Sequence, residues 1–392
     1  MVFGVYVHIP YCIQRCSYCD FATYEQTKIM PPEKYVDLVI AEIRAKAPSF
    51  SSQTLDTVYF GGGTPSLIPA PLILSILDEL AKNGFVTGPQ TEITLEINPA
   101  TIDQKKMDLY LSRGINRFSV GAQSFDDSLL KMVGREHSSQ QTLETLQFLK
   151  KLNLNYTFDL LFALPKQTLE GLKKDLEITM SFDPSHISAY CLTVPSGHPL
   201  TKGRPPEEEQ LEMFDLIRDT LLKAGHRRYE ISNFAKPGFE SRHNLLYWED
   251  QEYWSLGLSA HSYTKSNSNW GVRYWNAPNI GVYEEQIEKI RGRNLKKAFE
   301  GLPLEQFEVL EQHQALTDFC HTALRIQKGL KIEDVRRRFS RQSEVVKSRL
   351  DSLINEGLLT FKNDAFSLSE EGLLVSNLVF EKMAFLKEEI LS

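Results

Sequence analysis

Several features are missing from this sequence, and each absence excludes something. No uninterrupted apolar run approaches the roughly 20 residues that a bilayer-spanning helix needs, so a membrane-embedded chain is not expected. The opening stretch "MVFGVYVHIP" has neither the basic segment nor the long apolar core of an export signal. It reads as a β-strand ending at Pro10, and the expected location is the cytoplasm. There is no basic excess: 44 Lys and Arg against 51 Asp and Glu leave a net charge of -7, which argues against a general nucleic-acid binder. Low-complexity segments are absent. Cysteine is scarce, five residues in 392, and thiols stay reduced in the expected compartment, which argues against a disulfide framework.

The few cysteines are not spread evenly. "HIPYCIQRCSYCDF", residues 8 to 21, holds Cys12, Cys16 and Cys19. Cys191 and Cys320 lie in apolar runs and read as buried core thiols. Otherwise the composition is that of a soluble globular chain, 42% hydrophobic and 24% charged, long enough for two domains.

Strand-like runs fall at 2–9, 57–60, 92–97, 117–121, 156–162, 186–194 and near 228–234. Helical patterns lie between them. "PPEKYVDLVIAEIRAKA" opens on proline, which suits a first helical turn. "PAPLILSILDELAKNG" closes on Asn83-Gly84, a helix stop. "TIDQKKMDLYLSRG" runs from Thr101 to Gly114. Repetition every 30 to 40 residues or so marks βα units with parallel strands. About six units is short of the eight of a complete barrel. The expected fold is therefore α/β, a partial (β/α)6 barrel over residues 1–235, with an open doubly wound sheet as the alternative. Residues 236–300 lose the rhythm and carry all four tryptophans. Residues 301–392 read as three helices and a hairpin turning at Asn363-Asp364, a small winged-helix-like domain. Its basic run "RRRFSR", 336–341, reads as a solvated helix face or a docking surface; the acidic balance of the chain speaks against DNA.

The cysteine loop follows the first strand. Zinc ordinarily takes four closed ligands, and the best zinc site here would add His8. Three thiolates without a fourth suit a [4Fe–4S] cluster with one iron left open.

C-x3-C-x2-C is also the signature of the radical S-adenosylmethionine (SAM) family, which this chain resembles over nearly its whole length. "GGGTPS" at 61–66, "LEINP", "GINRFSVGAQSF", "LLFALPKQT" and "HNLLYW" at 243–248 are similar to the branch containing oxygen-independent coproporphyrinogen III oxidase and its haem-chaperone relatives. The resemblance implies one [4Fe–4S] cluster per chain on Cys12, Cys16 and Cys19, with SAM chelating the open iron. In such enzymes the reduced cluster cleaves SAM to a 5′-deoxyadenosyl radical. It implies that Gly62, Gly63 and Thr64 meet the amino-acid end of SAM and that Tyr6 packs near the sulfonium. Glu96 would pair with the ammonium, Gln123 with ribose or carboxylate, and Arg135 would clamp a carboxylate. Asp159 would be a further SAM contact, with a structural ion pair as the alternative. These positions come from the ends of successive strands, where parallel βα barrels collect function.

The oxidase extends its motif by a further cysteine, where this chain has Phe21; the chaperone relatives lack that cysteine in the same way. The resemblance thus implies haem binding, with His243 as candidate iron ligand, and transfer to haem-accepting respiratory proteins. Oxidative decarboxylation of coproporphyrinogen III is the alternative. A structural histidine among aromatics is the other reading of His243. His261 is a weaker ligand candidate, and His137 follows Arg135 and lines the SAM site. An electron donor such as flavodoxin or ferredoxin is implied, no nucleic acid is, and a homodimer is allowed.

Overall fold

In the computed structural model, which describes residues 2–266 and 268–391, the βα rhythm becomes a curled sheet. Strand β1 (Phe3–Ile9) leads into the cysteine loop, whose ends carry two short strands, β2 (Tyr11–Cys12) and β3 (Tyr24–Glu25), paired parallel. Then come β4 (Gln53–Gly62), β5 (Phe85–Ile97), β6 (Arg117–Gln123), β7 (Tyr156–Phe162) and β8 (His186–Cys191). The strands β1, β4, β5, β6, β7 and β8 pair in that order, all parallel. Two short antiparallel strands, β9 (Arg227–Arg228) and β10 (Asn233–Ala235), finish the β8 edge.

The apolar residues of one parity face the helices. Val5 lies opposite Val58, and Val7 opposite Phe60, and all four are fully buried. The other parity faces the lumen and is polar or aromatic. Tyr6 pairs with Tyr59, Glu96 with Ser119, and Asp159 with Ser188. Because the side-chain period of a strand is two, one register delivers a greasy outer face and a chemically equipped inner one.

The helices begin and end for local reasons. Pro31 and Pro32 start the helix Pro32–Lys46. Gly84, at φ +90°, turns the chain after Ala70–Lys82. The helix expected from Thr101 starts later, at Gln104, because Asp103 accepts the Lys106 N–H and caps it. Ser138 and Gln141 form a reciprocal capping box on Ser139–Lys151.

The stretch 236–300, where the βα rhythm stops, joins the sheet. After a short helix, Arg242–Trp248, strand β11 (Glu252–Leu256) pairs parallel with β1 on its free side. Strands β12 (His261–Thr264), β13 (Val272–Trp275) and β14 (Phe307–Val309) continue antiparallel from it. A buried knot fastens this segment to the first helix. Glu42 accepts from Lys46 at 2.6 Å, Asn276 at 2.7 Å, Tyr283 at 2.8 Å and the Gly257 N–H at 2.9 Å. A carboxylate so fully hydrogen-bonded is a tolerable buried charge.

The C-terminal part has its own core, from Leu310 to Ile390 with Tyr263. It contains the helices Gln312–Arg325, Ile332–Phe339 and Ser343–Asn355, then a hairpin of β15 (Leu359–Lys362) and β16 (Ala365–Leu368). Asn363 and Asp364 both have positive φ, as a tight hairpin turn requires. Three of the four arginines of the basic run are already paired: Arg336 to Glu333, Arg337 to Asp334, and Arg338 to Asp250. Trp270 stacks on Phe339, and Trp248 lies under the Arg325 guanidinium at 4.4 Å. Among the described residues no helix is long and apolar enough to cross a membrane.

Candidate cofactor site

A cavity of about 500 Å³ opens at the carboxyl ends of the parallel strands. Cys12, Cys16 and Cys19 all line it, half-buried and free. Their loop is pinned on several sides. Ser17 N–H donates to the Val133 carbonyl at 3.1 Å, His198 Nε2 to the Ser17 carbonyl at 3.1 Å, and Arg15 to the Cys19 carbonyl at 2.9 Å. Burial pushes the Cys12 thiol up to about 11; Thr64 pulls it back, and the neighbouring Cys16 and Cys19 push it further up. Thiols so raised act as thiolate ligands only when a cation draws their protons off. They fit an iron–sulfur cluster with three protein ligands. They do not fit zinc with His8, because both ring nitrogens of His8 are spent. Its Nε2 donates to the Ala22 carbonyl at 2.9 Å, and its Nδ1 meets the Tyr6 hydroxyl at 3.1 Å.

The glycine turn holds the loop. Gly63 N–H donates to the Ile9 carbonyl at 2.8 Å and Thr64 N–H to the Tyr11 carbonyl at 2.7 Å. A Cβ on Gly63 would stand 2.6 Å from the Tyr11 oxygen, and Gly62 has φ +109°. Gly62 N–H is also committed, to Glu96 Oε2 at 3.1 Å. These three amides therefore bind protein, not ligand; what this turn can still offer an ammonium is acceptor oxygens.

Glu96 faces the cavity and accepts from the Tyr59 hydroxyl at 2.8 Å. Burial pushes its carboxyl up to about 7; the Tyr59 hydroxyl opposes that, and the charge of Asp159 adds to it. Asp159 accepts from Ser119 at 2.9 Å, and burial raises it to about 6. Gln123 ends β6 with φ +67°, a conformation that costs a non-glycine residue about 1–3 kcal/mol and persists where the surroundings enforce it. Arg135 touches Cys16 Sγ at 3.6 Å and bonds Asn98 and the Gly121 carbonyl, which places a cation beside the thiols. Gly62, Gly63, Thr64, Glu96, Gln123, Arg135 and Asp159 thus share one cavity with the cysteines.

Tyr6 and His243 do not line it. Tyr6 stacks behind Tyr59 at 6.0 Å. His243 is 1% exposed, with Nδ1 on the Thr57 hydroxyl at 2.7 Å and Nε2 on the Tyr247 hydroxyl at 2.9 Å. Burial, with the Arg117 charge, lowers it to about 3. His137 is buried on the Ala122 carbonyl, and His261 stacks on Trp275 at the surface.

Cys191 corrects an expectation. It is exposed, lines the cavity and accepts from Arg204 at 3.8 Å, because it ends β8 where the strand passes the last covering layer. Cys320 is a fully buried core thiol, as expected. Asn98, Tyr59, Ser119 and Arg117 are cavity residues that motif reading passed over. Alternation along "RFSVG" was the available signal for Arg117 and Ser119.

A family model for the radical SAM superfamily matches residues 6–178, and one for the HemN C-terminal domain matches 310–375. The heme chaperone HemW of Lactococcus lactis is 32% identical, covering 99% of this chain and 98% of its own length. The Bacillus subtilis heme chaperone HemW is 30% identical over 98% and 99%. The chain belongs to the HemW family of radical SAM proteins. Membership carries a [4Fe–4S] cluster and SAM with it, and the cysteine cavity is the place in this fold that fits both. The fold of this chain is also that of coproporphyrinogen III oxidase (HemN) from Escherichia coli, with a TM-score of 0.81 at 19% identity over 98% of this chain and 90% of the other. At Phe21, which is 63% exposed at the cavity mouth, this HemW-family chain keeps an apolar ring.

Proposed function

We propose that this chain binds haem and hands it to haem-accepting respiratory proteins in the cytoplasm, with a [4Fe–4S] cluster and SAM as cofactors. The observation that carries this reading is the cysteine loop at the cavity: three cysteines, with Phe21 after them in place of a fourth, in a chain of the HemW family. Cys12, Cys16 and Cys19 would hold the cluster. When bound and reduced by a donor such as flavodoxin or ferredoxin, it supplies one-electron chemistry to SAM.

The residues around it have separable tasks. Glu96, protonatable near neutral pH, is a proton-sensitive partner for the SAM ammonium. Arg135 lies against Cys16 and would balance negative charge at the cluster. Asp159 and Gln123 would fix the nucleoside, and Tyr59 holds Glu96 in place with Tyr6 packed behind it. Haem-iron ligation by His243 would require the helix Arg242–Trp248 to release both Thr57 and Tyr247 from the imidazole.

The test is anaerobic and divided. One portion of cluster-loaded protein is titrated with haem and followed by absorption. The other receives coproporphyrinogen III, SAM and a reductant, and protoporphyrinogen is sought by chromatography. Stable haem binding without porphyrinogen turnover is expected. Steady turnover without haem binding would overturn the proposal in favour of oxidative decarboxylation.

A further inference from the structure

Arg117 opens β6, on the lumen side of the sheet, with Thr94 of β5 as its register partner. It is 2% exposed and lines the cavity. Its guanidinium forms no hydrogen bond or ion pair with any described residue, and its Nε is a buried donor without an acceptor. The Nε donor is thus withdrawn from solvent with nothing opposite it, and the rest of the fork has no acceptor among the described residues within hydrogen-bonding distance. Buried charges are normally paired.

The groups around it supply no direct bond, although its charge helps to hold the Asp159 carboxyl down. Asp159 is bonded to Ser119, and Glu96 to Tyr59 and Gly62. His186 bonds Thr157 and Tyr229. His243 bonds Thr57 and Tyr247. Arg117 also sits apart from the cysteine loop. Gln123, at the cofactor end of β6, is six residues further on, roughly 20 Å along a strand. Arg135 is the cation at that upper end. Arg117 is a second cation at the lower end of the same cavity.

We propose that the lower lumen is a binding site for a carboxylate arm of the bound ligand, with Arg117 as its clamp. A guanidinium matches a carboxylate in a planar two-pronged bond. One cation near two acids favours a singly charged group over a phosphate dianion. The inference rests on the haem reading for the identity of that arm, since haem carries two propionates.

The test uses the full chain with Arg117→Met and Arg117→Lys, and compares haemin with haemin dimethyl ester. Wild type is expected to prefer haemin to the ester by ~tenfold or more. Arg117→Met should bind the two alike, with the ester affinity unchanged, and Arg117→Lys should fall between. Without ligand, Arg117→Met should melt at a higher temperature than wild type, because it removes a buried unpaired charge. Equal wild-type affinity for acid and ester overturns the proposal. So does loss of SAM binding by the cluster-loaded variant, which would give the guanidinium to SAM. A lower melting point of the ligand-free variant would make Arg117 a structural residue and also overturns it. If wild type binds neither porphyrin, the haem reading fails by itself, and sodium propionate becomes the probe. Propionate should then raise the melting temperature of wild type and not of Arg117→Met; no shift in either would overturn the site.

Discussion

Glu96→Gln makes the sharpest test of how the cavity is tuned. The wild-type carboxyl rises from 4.5 to about 7, chiefly through burial. At about 1.4 kcal/mol per pH unit, that rise is worth on the order of 3 kcal/mol. The sign follows from proton binding. The folded state holds a proton on Glu96 that the unfolded state has released between pH 4.5 and 7, so folding is favoured at low pH and loses this contribution as pH rises through 7. Glutamine cannot titrate. The stability of Glu96→Gln relative to wild type should therefore climb by up to about 3 kcal/mol from pH 5 to pH 8, read as the difference of two denaturant curves taken without cofactors. The buried histidines act the other way below pH 6.5, since His8 and His137 are lowered to about 4, but they are common to both proteins and cancel in the difference. SAM should report the same proton. Its ammonium favours ionised Glu96, so wild-type affinity should increase between pH 6 and 8 and the variant should lose that dependence. A pH-independent difference in stability would refute the reasoning.

Gly63→Ala should destabilise by ~1–3 kcal/mol and lower iron content after reconstitution, because its methyl would meet two backbone carbonyls that the cysteine loop cannot move. Arg338→Ala removes the cross-domain partner of Asp250, leaving it only Lys265, and a donor to Tyr263 at 2.9 Å; limited proteolysis should release the C-terminal part several-fold faster, at unchanged SAM affinity. His243→Ala leaves the Thr57 and Tyr247 hydroxyls without their shared partner and should cost ~1–3 kcal/mol before any ligand is added. Melting curves of ligand-free wild type and variant check this.

Much of this could be read from local pattern. The parallel strands follow from the βα repetition, the hairpin from Asn363-Asp364, and the cofactor layer from residues at strand ends. What was hidden depended on distant pairing. Nothing local in "EYWSL" says that β11 will lie beside β1. Cys191 was misjudged because an apolar run gives no sign of where a strand outlasts its cover. His243 and Tyr247 stand four residues apart on one helix face, a spacing that favours the side-chain bond found between them. That spacing was legible beside the aromatic content that drew attention to haem. Arg117 was legible in parity alone, yet only the fold shows that no described residue bonds its guanidinium.

The most direct test of the proposed function is transfer. Cluster-loaded protein is charged with haem, freed of excess, and mixed anaerobically with a haem-depleted respiratory enzyme. The haem spectrum should pass to the acceptor and its activity should return, faster than with an equal concentration of free haem. Retention of haem by the chain, or restoration no faster than free haem gives, would contradict a chaperone.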